Sequence, residues 1–178
     1  ENLNDSVQVL AITTFDSDEP IMEIIEAAEI LGDSFTISFT GRYSKYFERS
    51  REPVAVPKNV RLLGFVPEDE YRKLLGSADV AVVLTSKDLI LNCGAYEAVA
   101  MNTPAVVSNT KTMKSFFYKG FVHVNLDPSS IAKGIVYCLD HKIFLKKELL
   151  SLKFELERAW NLRQLEANRK FTEITKIS

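Results

Sequence analysis

The run Val80-Ala81-Val82-Val83-Leu84-Thr85 places five aliphatic side chains in six consecutive positions, with Asp79 before it and Ser86 after it. It falls far short of the ~20 apolar residues a membrane span needs. It has the length of a strand, and a strand apolar on both faces suits the middle of a parallel sheet with helices on either side. Parallel neighbours require crossovers, so helical patterns should alternate with strand patterns. They do. Val7–Ile12 reads as a first strand, and Asp18-Glu19-Pro20 reads as a helix start with acids near the positive end. Ile21, Ile24, Ile25, Ala28 and Leu31 follow at helical spacing up to Gly32. Phe35–Gly41 and Val60–Phe65 are the second and third strands, and Pro67 opens a helix carrying Tyr71, Leu74 and Leu75. Val80–Thr85 is the fourth strand, a helix is expected around Ala95–Met101, and Pro104–Ser108 and Phe121–Val124 complete a sheet of about six strands. The pattern predicts an α/β fold with a doubly wound parallel sheet and right-handed crossovers.

From Ser129 onward the periodicity is helical, and Leu145, Leu149, Leu152, Leu156, Ala159 and Trp160 fall on one stripe. The sheet domain is therefore expected over residues 1–140, and a helical extension over 141–178. That extension must lay its stripe on this domain, on another domain or on a partner. A chain of 178 residues matches one such domain. The start Glu1-Asn2-Leu3-Asn4-Asp5 lacks Met and lacks a signal peptide, so the expectation is a cytoplasmic fragment of a longer chain. A net charge of −2 speaks against nucleic acid as a partner. The charge is uneven, with nine basic and five acidic residues in 142–178. Cys93 and Cys138 read as two reduced thiols, without metal-ligand spacing.

In a doubly wound sheet, ligands bind beyond the carboxyl ends of the strands. The segment after the fourth strand, Thr85 to Ala100, is the most informative. There a polar loop containing Ser86, Asn92, Cys93 and Gly94 runs into a helix start. Such a start offers free N–H groups and a positive dipole end to a phosphate or diphosphate. Glu97, about one turn in, could address nearby hydroxyls. The structural alternative makes Asn92 a helix cap and Glu97 a partner of the dipole. No Gly-x-Gly-x-x-Gly, Walker-type loop or Gly-x-Ser-x-Gly elbow occurs. His123 in the sixth strand reads as a core residue, His141 as a residue at a helix end, and Cys93 as packing. No residue is identified as catalytic and no metal site is expected.

Val60-Arg61-Leu62-Leu63-Gly64-Phe65-Val66-Pro67, Tyr71, Ala78-Asp79-Val80 and Gly94-Ala95-Tyr96-Glu97-Ala98-Val99-Ala100-Met101-Asn102-Thr103-Pro104-Ala105-Val106-Val107-Ser108 together resemble a known family. They are similar to the carboxy-terminal, Rossmann-like half of GT-B glycosyltransferases, of the retaining group-1 (family 4) type. The resemblance spans about residues 5–140 and is strongest over 60–109. It implies a hexosyltransferase whose lobe here holds a nucleotide-sugar donor, with no further cofactor. By motif, Gly64, Phe65 and Val66 would offer backbone groups to the base. Glu97 would bind the ribose hydroxyls, and Asn92, Cys93 and Gly94 would hold the diphosphate.

Two departures stand out. Leu89 occupies the place of the first acid in the family's Glu-x7-Glu motif, with Asp88 one position early. The basic pair that usually follows the first strand is replaced by Thr13-Thr14-Phe15-Asp16-Ser17-Asp18-Glu19. A departing diphosphate needs positive charge, and Arg42 and Lys45 are the candidates to supply it. The acidic loop has only weak spacing for a divalent ion. The resemblance further implies an amino-terminal lobe in the same polypeptide and a glycan or lipid-linked acceptor. An isolated lobe would bind donor without turnover. The rival readings are a noncatalytic scaffold module and a sugar-nucleotide epimerase lobe. For the helical extension, the readings are a brace against the other lobe or contact with an anionic membrane at its inner face, through Lys142, Lys146, Lys147, Lys153 and Lys170.

Overall fold

A computed structural model describes residues 6–48 and 55–175. The elements in chain order are β1 (Val7–Ala11), α1 (Ile21–Leu31), β2 (Phe35–Thr40), α2 (Ser44–Glu48), β3 (Val60–Gly64), α3 (Glu68–Ser77) and β4 (Val80–Val83). They continue with α4 (Cys93–Met101), β5 (Ala105–Ser108), α5 (Lys111–Phe116), β6 (Phe121–Val124), α6 (Pro128–Asp140) and α7 (Lys142–Thr175). All strand pairs are parallel, in the order β3-β2-β1-β4-β5-β6. The order reverses between β1 and β4, and the loops after these two strands therefore flank the switch point.

β4 is buried at every position, as its unbroken apolar run requires. Its side chains alternate between two cores. Val80 and Val82 face a layer built with Ile21, Ile24, Ile25 and Ala28 of α1 and Ile131 and Ile135 of α6. Ala81 and Val83 face the opposite layer, with Leu75 of α3, Ala95, Ala98 and Val99 of α4, and Leu149 and Leu152 of α7. Burying each such aliphatic side chain contributes about 1.5–3 kcal/mol, so the two layers fix both register and helix placement.

The sequence pattern missed α2 and α5, which are too short to show a period. It also misplaced Asp18, Glu19 and Pro20. Pro20 sits at the N-cap of α1, and the two acids lie outside the helix, engaged with neighbouring loops. α4 begins at Cys93, two residues before the expected start.

α7 is one helix of 34 residues, about 50 Å long at 1.5 Å per residue. Its first half belongs to the sheet domain by packing: Leu145, Leu149 and Leu152 are buried. Gly120, at φ +74°, leaves room for Leu149, whose Cγ would stand 2.5 Å from an added Cβ. Two ion pairs clip the helix down, Lys142 to Asp79 at 2.6 Å and Lys119 to Glu155 at 2.6 Å. Beyond Leu156, which is half-buried, Trp160 is exposed, as are residues 161–169. No helix among the described residues is long and apolar enough to cross a membrane.

Candidate functional site

Three loops meet at the carboxyl edge around the switch point. The loop after β1 is tied to β2, because Thr13 Oγ1 donates to Thr40 O at 2.5 Å and Thr13 N donates to Thr40 Oγ1 at 3.2 Å. Gly41, at φ +104°, presses so close that a Cβ would lie 2.3 Å from Thr13 O. Phe15 has a left-handed backbone (φ +62°), rare for a bulky residue. Its buried ring is held by Phe39, Tyr43, Tyr46 and Phe47 at centroid distances of 5.6–6.2 Å. Glu19 folds back and accepts from Thr14 N at 2.9 Å and Asp16 N at 3.1 Å. Burial nevertheless pushes its carboxyl above the ordinary glutamate range.

Asp18 joins this loop to the one after β4. Its carboxylate accepts from Thr85 Oγ1 at 2.5 Å and pairs with Lys87 Nζ at 3.3 Å, while its carbonyl accepts from Ser86 N at 2.7 Å. The Thr85 hydrogen bond holds the Asp18 carboxyl below its usual value. Asp18 and Glu19 thus act as loop clasps rather than as dipole partners, a role that depends on residues far along the chain. Among the described residues, no three acidic, histidine or cysteine side chains gather to hold a metal.

α4 starts directly beside these clasps. Gly94 rests on the end of β1, where an added Cβ would stand 3.0 Å from Ile12 Cγ2. Asn92 occupies the N-cap position, but its side chain makes no capping bond, and its Oδ1 is buried without a partner. This corrects the capping alternative and leaves the first-turn N–H groups of α4 without a side-chain acceptor. Cys93 is exposed. Glu97 stands at the fifth helical position, outside the first turn, so the dipole alternative loses its reach. Instead, its Oε2 accepts from Tyr71 OH of α3. Burial, and then Glu97 itself, push the Tyr71 phenol above its ordinary range.

Asn92, Cys93, Gly94 and Glu97 are therefore brought together on one helix start. Ser86 is exposed, and its backbone is bound by Asp18. Gly64 ends β3 at φ +74°, and its carbonyl accepts from Gly41 N at 2.8 Å. Phe65 is 73% exposed and Val66 half-buried. These residues lead into α3, whose Tyr71 connects that turn to Glu97. Arg42 is exposed on the turn after β2. Its strand lies two places from β4 in the sheet, roughly 10 Å away at the usual strand spacing. The Lys45 side chain lies outside the described residues. Leu89 is 92% exposed, and Asp88 is committed elsewhere, accepting from Thr112 N at 3.1 Å.

The histidines stay away from this site. His123 lies on the edge strand β6 with Nε2 buried and unpartnered, and burial lowers its pKa. His141 caps α6 and stacks on Tyr137 at 3.9 Å. Sequence reasoning missed the Tyr71–Glu97 pair and the Asp18–Thr85 clasp, whose partners lie 26 and 67 residues apart. Only the place of Asp18 in the loop between β1 and α1 hinted at the second.

The family model for group 1 glycosyl transferases matches residues 8–141. No curated protein matches the sequence. Among solved structures, a glycosyltransferase from Rickettsia africae ESF-5 superposes with a TM-score of 0.79 at 18% identity, over 98% of this chain and 49% of that one. Anabaena Alr3699/HepE, solved with UDP and glucose, gives 0.68 at 12% identity over 88% and 48%. The alpha,alpha-trehalose-phosphate synthase (UDP-forming) from Burkholderia xenovorans, solved with glucose-6-phosphate, gives 0.67 at 16% identity over 92% and 44%. This chain thus spans about half the length, or somewhat less, of each of these three structures. At these identities the likeness speaks for the fold, the Rossmann-like lobe of GT-B glycosyltransferases. The family model covers most of the sequence itself, and on that match the chain belongs to the group 1 glycosyltransferases.

Proposed function

We propose that this chain is the donor-binding lobe of a retaining glycosyltransferase, seating a nucleoside diphosphate-sugar at the start of α4. The observation that carries this reading is the uncapped α4 N-terminus, with Glu97 held one turn behind it by Tyr71. A diphosphate would accept from the first-turn N–H groups and gain from the dipole. Glu97 Oε2 is engaged by Tyr71, which leaves Oε1 to accept from ribose hydroxyls. The base would lie toward Gly64, Phe65 and Val66. HepE, whose fold is similar, was solved with UDP, which favours a uridine nucleotide as the first probe.

Chemistry at the anomeric carbon needs cations where the leaving diphosphate develops charge. The loops after β2 and β4 carry Arg42 and Lys87, but Lys87 is paired with Asp18. The lobe alone should therefore bind donor without turning it over, the acceptor (a glycan or lipid-linked sugar) and the opposing lobe being supplied by the rest of the polypeptide. A noncatalytic scaffold is the second reading, favoured by Leu89 standing exposed where the family motif has an acid.

Calorimetry against UDP-, GDP- and ADP-glucose tests the reading. One base series should bind, and its free diphosphate should compete with the sugar conjugate. Silence from all three at millimolar concentration would leave the scaffold reading standing.

A further inference from the structure

α7 covers the domain with one side and shows solvent another. At 3.6 residues per turn, Leu145, Leu149, Leu152 and Leu156 gather on the packed side. Away from it, Ile143, Lys147, Leu150, Phe154 and Arg158 fall on one line, about 22 Å long at 1.5 Å per residue. Ile143 is 77%, Leu150 44% and Phe154 70% exposed, and both cations are exposed as well. Neither Lys147 nor Arg158 forms an ion pair among the described residues.

The acids of α7 are kept off this line. Glu148, Glu155 and Glu166 occupy another side, where Glu155 is bound by Lys119 and Tyr118. Glu157 borders the line on one edge, next to Phe154, with Lys153 one turn before it. The basic excess of the tail is also sorted by the fold. Lys142 is used by Asp79, and Lys153 turns inward toward Ala100 O at 3.5 Å. Lys170's side chain lies outside the described residues. The cations left on the outward line are interleaved with apolar side chains.

From this pattern we propose that the outer face of α7 docks on an anionic lipid surface. The helix would lie flat, with Ile143, Leu150 and Phe154 entering the boundary between headgroups and acyl chains and Lys147 and Arg158 among the lipid phosphates. A protein partner would need complementary acids, whereas anionic headgroups supply them everywhere along the line. The inference stands apart from donor binding, and either can fail alone.

Co-sedimentation of the full chain with phosphatidylglycerol-rich and with pure phosphatidylcholine vesicles tests it. Binding is expected only to the anionic vesicles and should weaken as salt rises from low to high. Lys147→Glu/Arg158→Glu should reduce binding about tenfold or more, given the electrostatic contribution of each cation near such a surface. Ile143→Ser/Phe154→Ser should reduce it even at low salt. Lys133→Glu, an exposed lysine on α6, should leave binding unchanged. All these positions face solvent, and a retained helical circular dichroism signal checks the fold of each variant. No binding, equal binding to neutral vesicles, or undiminished binding by the charge-reversed pair overturns the proposal. A dimer in solution that Phe154→Ser dissolves would also overturn it, assigning the face to a second copy instead.

Discussion

The helices α4, α5 and α6 all leave the same edge of the sheet, yet they begin differently. At α5, Thr110 accepts from Met113 N at 3.2 Å, and Asp88 reaches across from the β4 loop to accept from Thr112 N. At α6, Asp127 accepts from Ser130 N at 2.8 Å, and Pro128 removes one donor that would otherwise need a partner. α4 begins with Asn92, a residue type as suited to capping as aspartate, and leaves it unused. An unused cap forgoes about 1 kcal/mol. Of these three, the fold closes two starts with its own oxygens and leaves that of α4 open, with Glu97 behind it; α1 and α3 also lack a side-chain cap, but they follow Pro20 and Pro67 rather than a capping residue type. Among these three starts, only that of α4 leaves its first-turn N–H groups without a side-chain acceptor.

The largest effect that could break this contrast is the loss of Glu97. If its carboxylate holds ribose hydroxyls, Glu97→Ala should weaken nucleotide binding by about 1–3 kcal/mol, the usual range for a hydrogen bond to a charged group. The substitution also strips Tyr71 of its acceptor, so Tyr71→Phe is the companion variant. It keeps the carboxylate and removes only its anchor, and it should lose clearly less affinity. Equal losses in the two variants, measured by calorimetry, would make Glu97 a packing partner of α3 rather than a ligand contact.

At α5, the reverse is expected. Thr110→Ala removes a cap that is in use and should lower stability by about 1 kcal/mol in denaturant unfolding. Nucleotide affinity should stay the same. Asn92→Ala, at the open start, should leave stability nearly unchanged, because its oxygen bonds nothing. If Asn92→Ala proves as destabilising as Thr110→Ala, α4 is capped in solution and the contrast disappears.

This contrast marks the boundary of what could be read from residue order. The sheet was legible because its strands are continuous apolar runs, such as Val80–Val83, and the helices between them carry clear periodicity. The start of α4 was legible as a candidate because a polar loop entering a small-residue helix has a physical meaning by itself. Which starts are capped was not legible. Asn92, Thr110 and Asp127 are all good capping types, and only side-chain direction separates them. The clasp between Asp18 and Thr85 and the Tyr71–Glu97 bond likewise depend on tertiary closure. No local pattern encodes contacts between separate loops. By residue order alone Asp18 and Glu19 read as helix-start acids, whereas the folded loops engage them with Thr85 and Thr14. The tail was legible as an apolar stripe, but the sorting of its lysines between Asp79, Ala100 and solvent was not.

The smallest expected effect sharpens the comparison through pH. The Ser130 hydrogen bonds hold the Asp127 carboxyl below its ordinary value of 3.8. A carboxyl with a lowered folded-state pKa stabilises the fold fully above that ordinary value, and the contribution disappears as the pH falls through the lowered one. Asp127→Asn keeps a capping oxygen without the titration. The difference in thermal midpoint between wild type and Asp127→Asn should thus be constant near neutrality and shrink as the medium is acidified below about pH 4. Asp18, also held low, titrates in the same window, but it is present in both proteins and cancels in the difference. The matching substitution at α4, Asn92→Asp, puts a carboxylate at the open start. If it swings onto the first-turn N–H groups, of which Ala95 N already donates to the Asn92 carbonyl at 3.1 Å, it should gain stability above the same window and compete with the nucleotide for those donors. A variant that is both more stable and weaker in binding would identify the open α4 start as the anion seat. A gain in stability with nucleotide affinity intact would place the nucleotide elsewhere on the lobe.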